Sequence, residues 1–291
     1  MRRPDPSAVL ELLKPITWFA PMWAFACGAV SSGASARWMA AAAGVALAGP
    51  LVCATSQAVN DWYDRHVDAI NEPLRPIPSG RIPGRWGLYI ACLWTVLSLF
   101  VASTLGPWVL VAAIIGLALA WAYSAPPLRL KQNGWLGNSA VGLAYEGLPW
   151  FTGAAAMASG LPDIRIISLA LLYSLGAHGI MTLNDFKSVE GDAKMGVRSL
   201  PVQLGVEGAV RIACVVMVLP QAAVIVLLWR WSHPLHAAAV AALLVGQFAL
   251  MARLLKDPRG QAAFYNATGT TLYVLGMLVS AFALRSGASL P

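Results

Sequence analysis

Four oxygen-bearing side chains, Asn60, Asp61, Asp64 and Asp68, follow an apolar run in the stretch NDWYDRHVDAINEPLRPIPSG. Positions 60, 64 and 68 are spaced i, i+4, i+8, and positions 61, 64 and 68 are spaced i, i+3, i+7. A helix continuing past the apolar run would carry these oxygens on one face. Like charges at that spacing repel, and a divalent cation reverses the sign of the interaction. One amide with several carboxylates suits a hard ion such as Mg²⁺, which keeps several waters and bridges to phosphate oxygens. A second cluster stands in LNDFKSVEGDAKMGVRSLP, where Asn184-Asp185 repeats the Asn60-Asp61 pair, Asp192 lies at i+7 from Asp185, and Glu190 falls between. Cations surround both clusters: Arg65, Arg75, Arg81, Lys187, Lys194, and the pair Arg129 and Lys131 in YSAPPLRLKQ. Carboxylates, Mg²⁺ and Arg/Lys together make a site for a diphosphate, whose charge as a leaving group they offset. A solvated loop of exchanging salt bridges would explain one such cluster equally well, but two at equivalent depth only poorly.

The elements that must position these acids are membrane helices. The 291 residues are 58% hydrophobic and 11% charged, with a mean hydropathy of +0.65. Long uncharged runs, each able to cross about 30 Å of hydrocarbon, point to an all-α polytopic protein in a lipid bilayer. Nine spans are expected, near 15–36, 38–60, 86–104, 107–128, 134–158, 166–184, 212–229, 231–252 and 260–284, in one integral-membrane domain over 1–291. Leu105-Gly106-Pro107 supplies a turn between two of them. With the N-terminus in the cytoplasm, sixteen Lys and Arg fall inside and only Arg37, Arg165, Arg230 and Arg285 outside, as the positive-inside bias requires. The C-terminus then lies on the opposite side. Acids need not follow that bias, yet all but Asp163 and the intramembrane Glu146 are inside, so their asymmetry needs its own cause. Both clusters end a span on the cytoplasmic side, where they can border one cavity. The net charge of +7 is scattered, with no basic tract for nucleic acid. Cys27, Cys53, Cys92 and Cys214 lie inside apolar runs and read as small core residues rather than disulfides or a zinc site. MRRPDPSAVLELLKP is short, mixed in charge and ends at Pro15, unlike a cleavable signal peptide.

Asn60-Asp61-x-x-Asp64-x-x-x-Asp68, followed by Arg75-Pro76-x-x-Ser79-Gly80 and later by Asn184-Asp185 … Glu190-Gly191-Asp192, resembles the UbiA superfamily of intramembrane prenyltransferases. Within it, NDWYDRHVDAINEPLRPIPSGRIPGRWGLYI, YEGLPWFTGAA and HGIMTLNDFKSVEGD are similar to the bacteriochlorophyll and chlorophyll synthase branch. The likeness runs from about Leu12 to Leu284. It implies nine helices around a central cavity open to the cytoplasm and laterally to lipid. It carries metal ligation over to Asn60, Asp64, Asp68, Asp185 and Asp192, with Asp61 and Glu190 at the margin of the set, and makes Asp64, Asp68, Asp185 and Asp192 the catalytic acids. Many quinone-type relatives have a further Asp where this chain has Ser188. Quinone precursors are alkylated at carbon and must lose a proton, whereas a propionate is already an anion at neutral pH. An enzyme that esterifies a propionate can therefore dispense with one base.

The implied reaction is a Mg²⁺-dependent esterification of the C17 propionate of bacteriochlorophyllide a with geranylgeranyl or phytyl diphosphate. Relatives acting on chlorophyllide, a quinone or a haem are the near alternatives. A transporter is the alternative of another class, but its charges should run through the membrane rather than crowd one face. The resemblance also implies an inner or intracytoplasmic membrane and association with other pigment-biosynthesis or photosynthetic membrane proteins. Arg75, Arg129, Lys131, Lys187 and Lys194 are the expected contacts to the diphosphate. Tyr123 and Tyr145 could steady a prenyl carbocation with their faces, or simply pack. Glu146, inside a span, should face a cavity or a partner. His178, i−7 from Asp185, could ligate the pigment's central Mg, or be a hydrogen-bonded core histidine.

Overall fold

With no water in hydrocarbon, every backbone N–H and C=O must pair inside the chain, and helices satisfy that requirement. The computed structural model describes residues 3–34 and 36–287, and all regular elements among them are helical. Seven helices are long and apolar enough to cross a membrane: Trp38–Asn71, Trp86–Leu105, Pro107–Ser124, Ile164–Lys187, Leu200–Arg230, Pro234–Lys256 and Pro258–Arg285. The two other expected spans are made of shorter pieces. Residues 15–36 divide into the 3₁₀ turn Pro15–Thr17 and a helix Phe19–Ser31, and residues 134–158 into Gly134–Gly142, a π-helical segment Leu143–Gly147, and Leu148–Ala158. Apolar composition reports burial in lipid but is blind to such breaks.

The described chain forms two compact units. The first comprises Met1–Ala29, Ala34–Arg129 and Leu148–Leu161. It opens with α1 (Pro6–Leu13), whose first turn is capped by Asp5 accepting from the Ser7 N–H at 3.1 Å and which ends at Lys14 in the left-handed region (φ 46°). Ala8, Leu12 and Leu13 of α1 pack against Ala54, Ala58, Val59, Ile82 and Ile90, while Glu11 takes both Arg81 nitrogens at 2.6 and 2.9 Å. That pairing holds the Glu11 carboxyl below its ordinary range. Helix α2 (Phe19–Ser31) follows; α3 (Trp38–Ala46), the π-helical segment Leu47–Cys53 and α4 (Ala54–Asn71) then run as one long rod. Helices α5 (Trp86–Leu105) and α6 (Pro107–Ser124) turn at Gly106, whose φ of 125° favours glycine, as the sequence predicts.

The unit closes with α8 (Leu148–Ala158), which touches α2 backbone to backbone. A Cβ on Gly28 would overlap the Trp150 carbonyl, and one on Gly153 would overlap the Phe25 carbonyl. Small residues are what permit such an approach in lipid. Gly153→Leu should therefore cost about 3 kcal/mol or more, since overpacking meets backbone rather than a movable side chain. A thermal melt in detergent checks this, and an unchanged midpoint would refute the close crossing.

The second unit comprises Val30–Gly33, Leu130–Gly147 and Pro162–Pro291. In chain order it contains α7 (Gly134–Gly142), α9 (Ile164–Asn184), α10 (Val189–Lys194), α11 (Leu200–Arg230), α12 (Pro234–Lys256) and α13 (Pro258–Gly287). Asn133 caps α7 by accepting from the N–H groups of Trp135 and Leu136, and Asp163 caps α9 by accepting from Arg165. Helix α11 begins well before the expected position 212, because it runs through a kink at Gly205 (φ 71°) and carries Glu207 and Arg211. Where α11 meets α12, buried Gln221 and Gln247 exchange amide hydrogen bonds at 3.2 and 2.8 Å, which satisfies polar groups that lipid could not. None of the four cysteines forms a disulfide, and three of them are buried.

Candidate active site

The first acidic motif lies on α4, which continues past the apolar run as far as Asn71. Asn60, Asp64 and Asp68 therefore share one helical face, as their spacing predicts. The Asn60 amide nitrogen donates to Ser124 Oγ at 3.1 Å, which leaves its carbonyl oxygen outside that bond. Asp61 departs from this row. It is only 2% exposed, and its Oδ1 takes Lys14 Nζ at 2.6 Å and Arg75 Nη1 at 3.5 Å. Its Oδ2 is buried with no hydrogen-bond partner among the described residues. Arg75 also reaches Asp68 Oδ2 at 3.0 Å and grips Glu72 with two bonds of 2.6 and 2.7 Å. Burial opposes the charge on Arg75, but the Glu72 hydrogen bonds and the carboxylates of Asp61 and Asp68 hold its guanidinium above the ordinary value. Lys14 is a site residue that sequence reading missed. It stands 47 positions from Asp61, and its one visible signal is being the last charge before the first apolar run.

The second motif lies where α9 ends. Asp185 Oδ2 accepts from Asn138 Nδ2 of α7 at 3.2 Å, and Asp192 Oδ2 accepts from Ser188 Oγ at 3.1 Å. Glu190 is turned outward to Arg259 at 2.8 Å; its own backbone N–H and the Arg259 guanidinium hold its carboxyl below the usual range. The Asn184 carbonyl takes the Asn266 amide of α13 at 2.7 Å. The two Asn-Asp pairs are therefore placed differently: Asn60 continues the row on α4 while Asp61 turns inward, and Asn184 turns to α13 while Asp185 meets α7. Asn138 is the second residue missed, a lone neutral amide inside an apolar run.

The donor set fits Mg²⁺. In both motifs the oxygens are amide and carboxylate only, the ligands a hard cation takes. Among the described residues no three His, Cys, Asp or Glu side chains are arranged as a metal cage. Mg²⁺ does not require one, since it binds through one or two carboxylates plus substrate oxygens. Lys187 and Lys194 are exposed, Arg129 and Lys131 half-buried, as are Tyr123 of α6 and Tyr145 of the π-helical segment. Arg129 adopts a left-handed backbone (φ 38°), and its Nε is buried without a partner. Glu146 shares the π-helical segment with Tyr145; it is buried, with Oε2 in no hydrogen bond. His178 Nδ1 meets Ser139 Oγ at 3.1 Å and its ring faces Trp135 at 5.7 Å, while Nε2 is buried without a partner.

Acid-rich helix ends on apolar spans match a known family: the UbiA prenyltransferase family covers residues 17–284. The chain belongs to the UbiA prenyltransferase family. Among curated UbiA relatives, the bacteriochlorophyll synthase 33 kDa chain of Cereibacter sphaeroides is 59% identical over 290 residues, covering 99% of this chain and 96% of that one. The chloroplastic chlorophyll synthase of Oryza sativa is 41% identical, covering 94% of this chain and 76% of that protein. A UbiA homologue from Archaeoglobus fulgidus, solved with GPP and Mg²⁺, shares the fold with a TM-score of 0.69 at 23% identity, over 91% of this chain and 99% of that chain. This UbiA chain is a multi-pass membrane prenyltransferase.

Proposed function

We propose that this chain esterifies the C17 propionate of bacteriochlorophyllide a with geranylgeranyl or phytyl diphosphate, a late step in bacteriochlorophyll synthesis. The observation that carries this reading is the 59% identity, across nearly the full length, to a bacteriochlorophyll synthase chain; identity to a chlorophyll synthase is 41%. Asn60, Asp64 and Asp68 of α4 would hold Mg²⁺ at the first motif, and Asp185 and Asp192 would hold it at the second. When bound, Mg²⁺ neutralises the diphosphate leaving group. The propionate oxygen attacks the first prenyl carbon as that carbon's bond to the diphosphate oxygen breaks, and the electron pair leaves with diphosphate. No proton has to be removed from the acceptor, because a propionate is ionised at neutral pH. Arg75, Arg129, Lys131, Lys187 and Lys194 supply cationic contacts to the diphosphate. Asp61 and Glu190, engaged by Lys14 and Arg259, serve better as anchors than as ligands. The Lys and Arg distribution supports a cytoplasmic N-terminus and cytoplasmic acidic loops, and the likeness to a bacteriochlorophyll synthase supports an inner or intracytoplasmic membrane.

The test is to incubate membranes containing the chain with Mg²⁺, geranylgeranyl diphosphate and bacteriochlorophyllide, with chlorophyllide in a parallel arm. Ester from bacteriochlorophyllide at a several-fold higher rate is expected, and its loss on chelation of Mg²⁺. No ester in either arm would sink the proposal, and preference for chlorophyllide would reassign the acceptor. Ser188→Asp, assayed alongside, should change metal affinity or rate. If neither moves, the link between Ser188 and a propionate acceptor fails.

A further inference from the structure

The carboxylates of the two motifs are held by opposite means. In the first, Asp61 and Asp68 are held by cations, Lys14 and Arg75. In the second, among the described residues, neither Asp185 nor Asp192 has a Lys or Arg within ion-pair distance, and each takes one bond from a neutral donor. We propose that Asn138 and Ser188 are positioning residues of the second motif: each fixes one oxygen of a metal-binding carboxylate and so commits the other oxygen to the cation. This rests on the metal-dependent reading above.

The orientation of Asn138 follows from its neighbours. Thr182 Oγ1 gives its only hydrogen to the His178 carbonyl at 2.9 Å. It can therefore only accept from Asn138, whose Nδ2 lies at 3.3 Å. That places the amide nitrogen, not the oxygen, toward Thr182, and its second hydrogen toward Asp185 Oδ2 at 3.2 Å. Asn138 is 5% exposed, so water does not compete for these bonds. The short side chain reaches because α7 lies close to its surroundings: a Cβ on Gly142 would meet the Ser174 carbonyl of α9 at 2.5 Å. Helix α7 is thus a rigid mount for a donor aimed at the end of α9.

Ser188 links the two acids directly. Its N–H donates to the Asp185 carbonyl at 3.1 Å, and its carbonyl accepts from the Asp192 N–H at 2.8 Å. Its hydroxyl lies 3.1 Å from both Asp192 Oδ2 and the Asp185 carbonyl, so its one hydrogen bridges the two acids. An Asp at this position would replace that donor with another acceptor and a third negative charge. Neutral donors orient a carboxylate without cancelling its charge, which is what a site awaiting a cation needs. Outer partners of metal ligands typically cost 10- to 100-fold in affinity when removed.

The experiment is a Mn²⁺ titration, read by electron paramagnetic resonance, of the full chain in detergent with inorganic diphosphate present. Asn138→Leu keeps the shape and deletes the donor; Ser188→Ala does the same in a partly solvated loop that folds regardless. The expected result is Mn²⁺ binding weakened about tenfold in both Asn138→Leu and Ser188→Ala. Melting in EDTA should stay at the wild-type midpoint in both. A purely structural role would reverse this, lowering the EDTA midpoint while leaving the dissociation constant within about twofold, and that result would overturn the inference. Should Asn138→Leu fail to fold, unchanged Mn²⁺ binding by Ser188→Ala overturns the Ser188 half, and Asn138→Ser then decides the other. Wild-type chain that binds no Mn²⁺ with diphosphate would instead overturn the metal-dependent reading itself.

Discussion

Asp64→Ala should lower kcat/KM for ester formation by about a thousandfold or more while leaving the protein folded. Asp64 is the middle member of the row Asn60, Asp64, Asp68 on α4, so its removal leaves an amide and one carboxylate two helical turns apart. Charge stabilisation by a metal ion amounts to several kcal/mol of barrier, and about 4 kcal/mol is about three powers of ten in rate. Stability should change little, because Asp64 is half-buried on a helix whose apolar contacts come from Ala54, Ala58 and Val59. The measurement is initial ester formation against Mg²⁺ concentration, paired with a melting curve. A variant retaining a tenth of wild-type activity at saturating Mg²⁺ would remove Asp64 from the metal set.

Why the row on α4 was legible from sequence and its supports were not is a matter of range. Spacing of i, i+4 and i+8 is local, and a helix converts it into a face whatever else the chain does. The turn at Gly106 was legible for the same reason. Lys14 and Asn138 act across the fold, on acids 47 residues distant in each case, and nothing local marks them. The spans behaved similarly. Hydropathy located seven long helices but not the π-helical segments at Leu47–Cys53 and Leu143–Gly147, since a π-helical turn leaves composition unchanged. Charge identity does not separate Asp61 and Glu190 from their neighbours, which carry the same group; only side-chain direction does. One turns into the core toward Lys14, the other outward to Arg259.

That separation makes the second large prediction. Lys14→Met should destabilise the protein by about 2–3 kcal/mol, because it strands a carboxylate that is 2% exposed. Removing one partner of a buried ion pair costs about 3–5 kcal/mol; the lower figure applies because Arg75 still lies 3.5 Å from the same oxygen. Adding Asp61→Asn to Lys14→Met should restore most of the loss, since a neutral amide needs no counter-ion. Asp61→Asn alone should cost less than Lys14→Met, because the ammonium it strands is 25% exposed and water can reach it. The double-mutant cycle from these melting curves yields the coupling directly. The same variants separate anchor from ligand: with Asp61→Asn the Mg²⁺ concentration at half-maximal rate should stay within about threefold of wild type, short of the 10-fold that even an outer partner typically contributes. If Asp61→Asn instead demands tenfold more Mg²⁺ while folding normally, Asp61 belongs among the ligands and Lys14 is a place-holder for the metal.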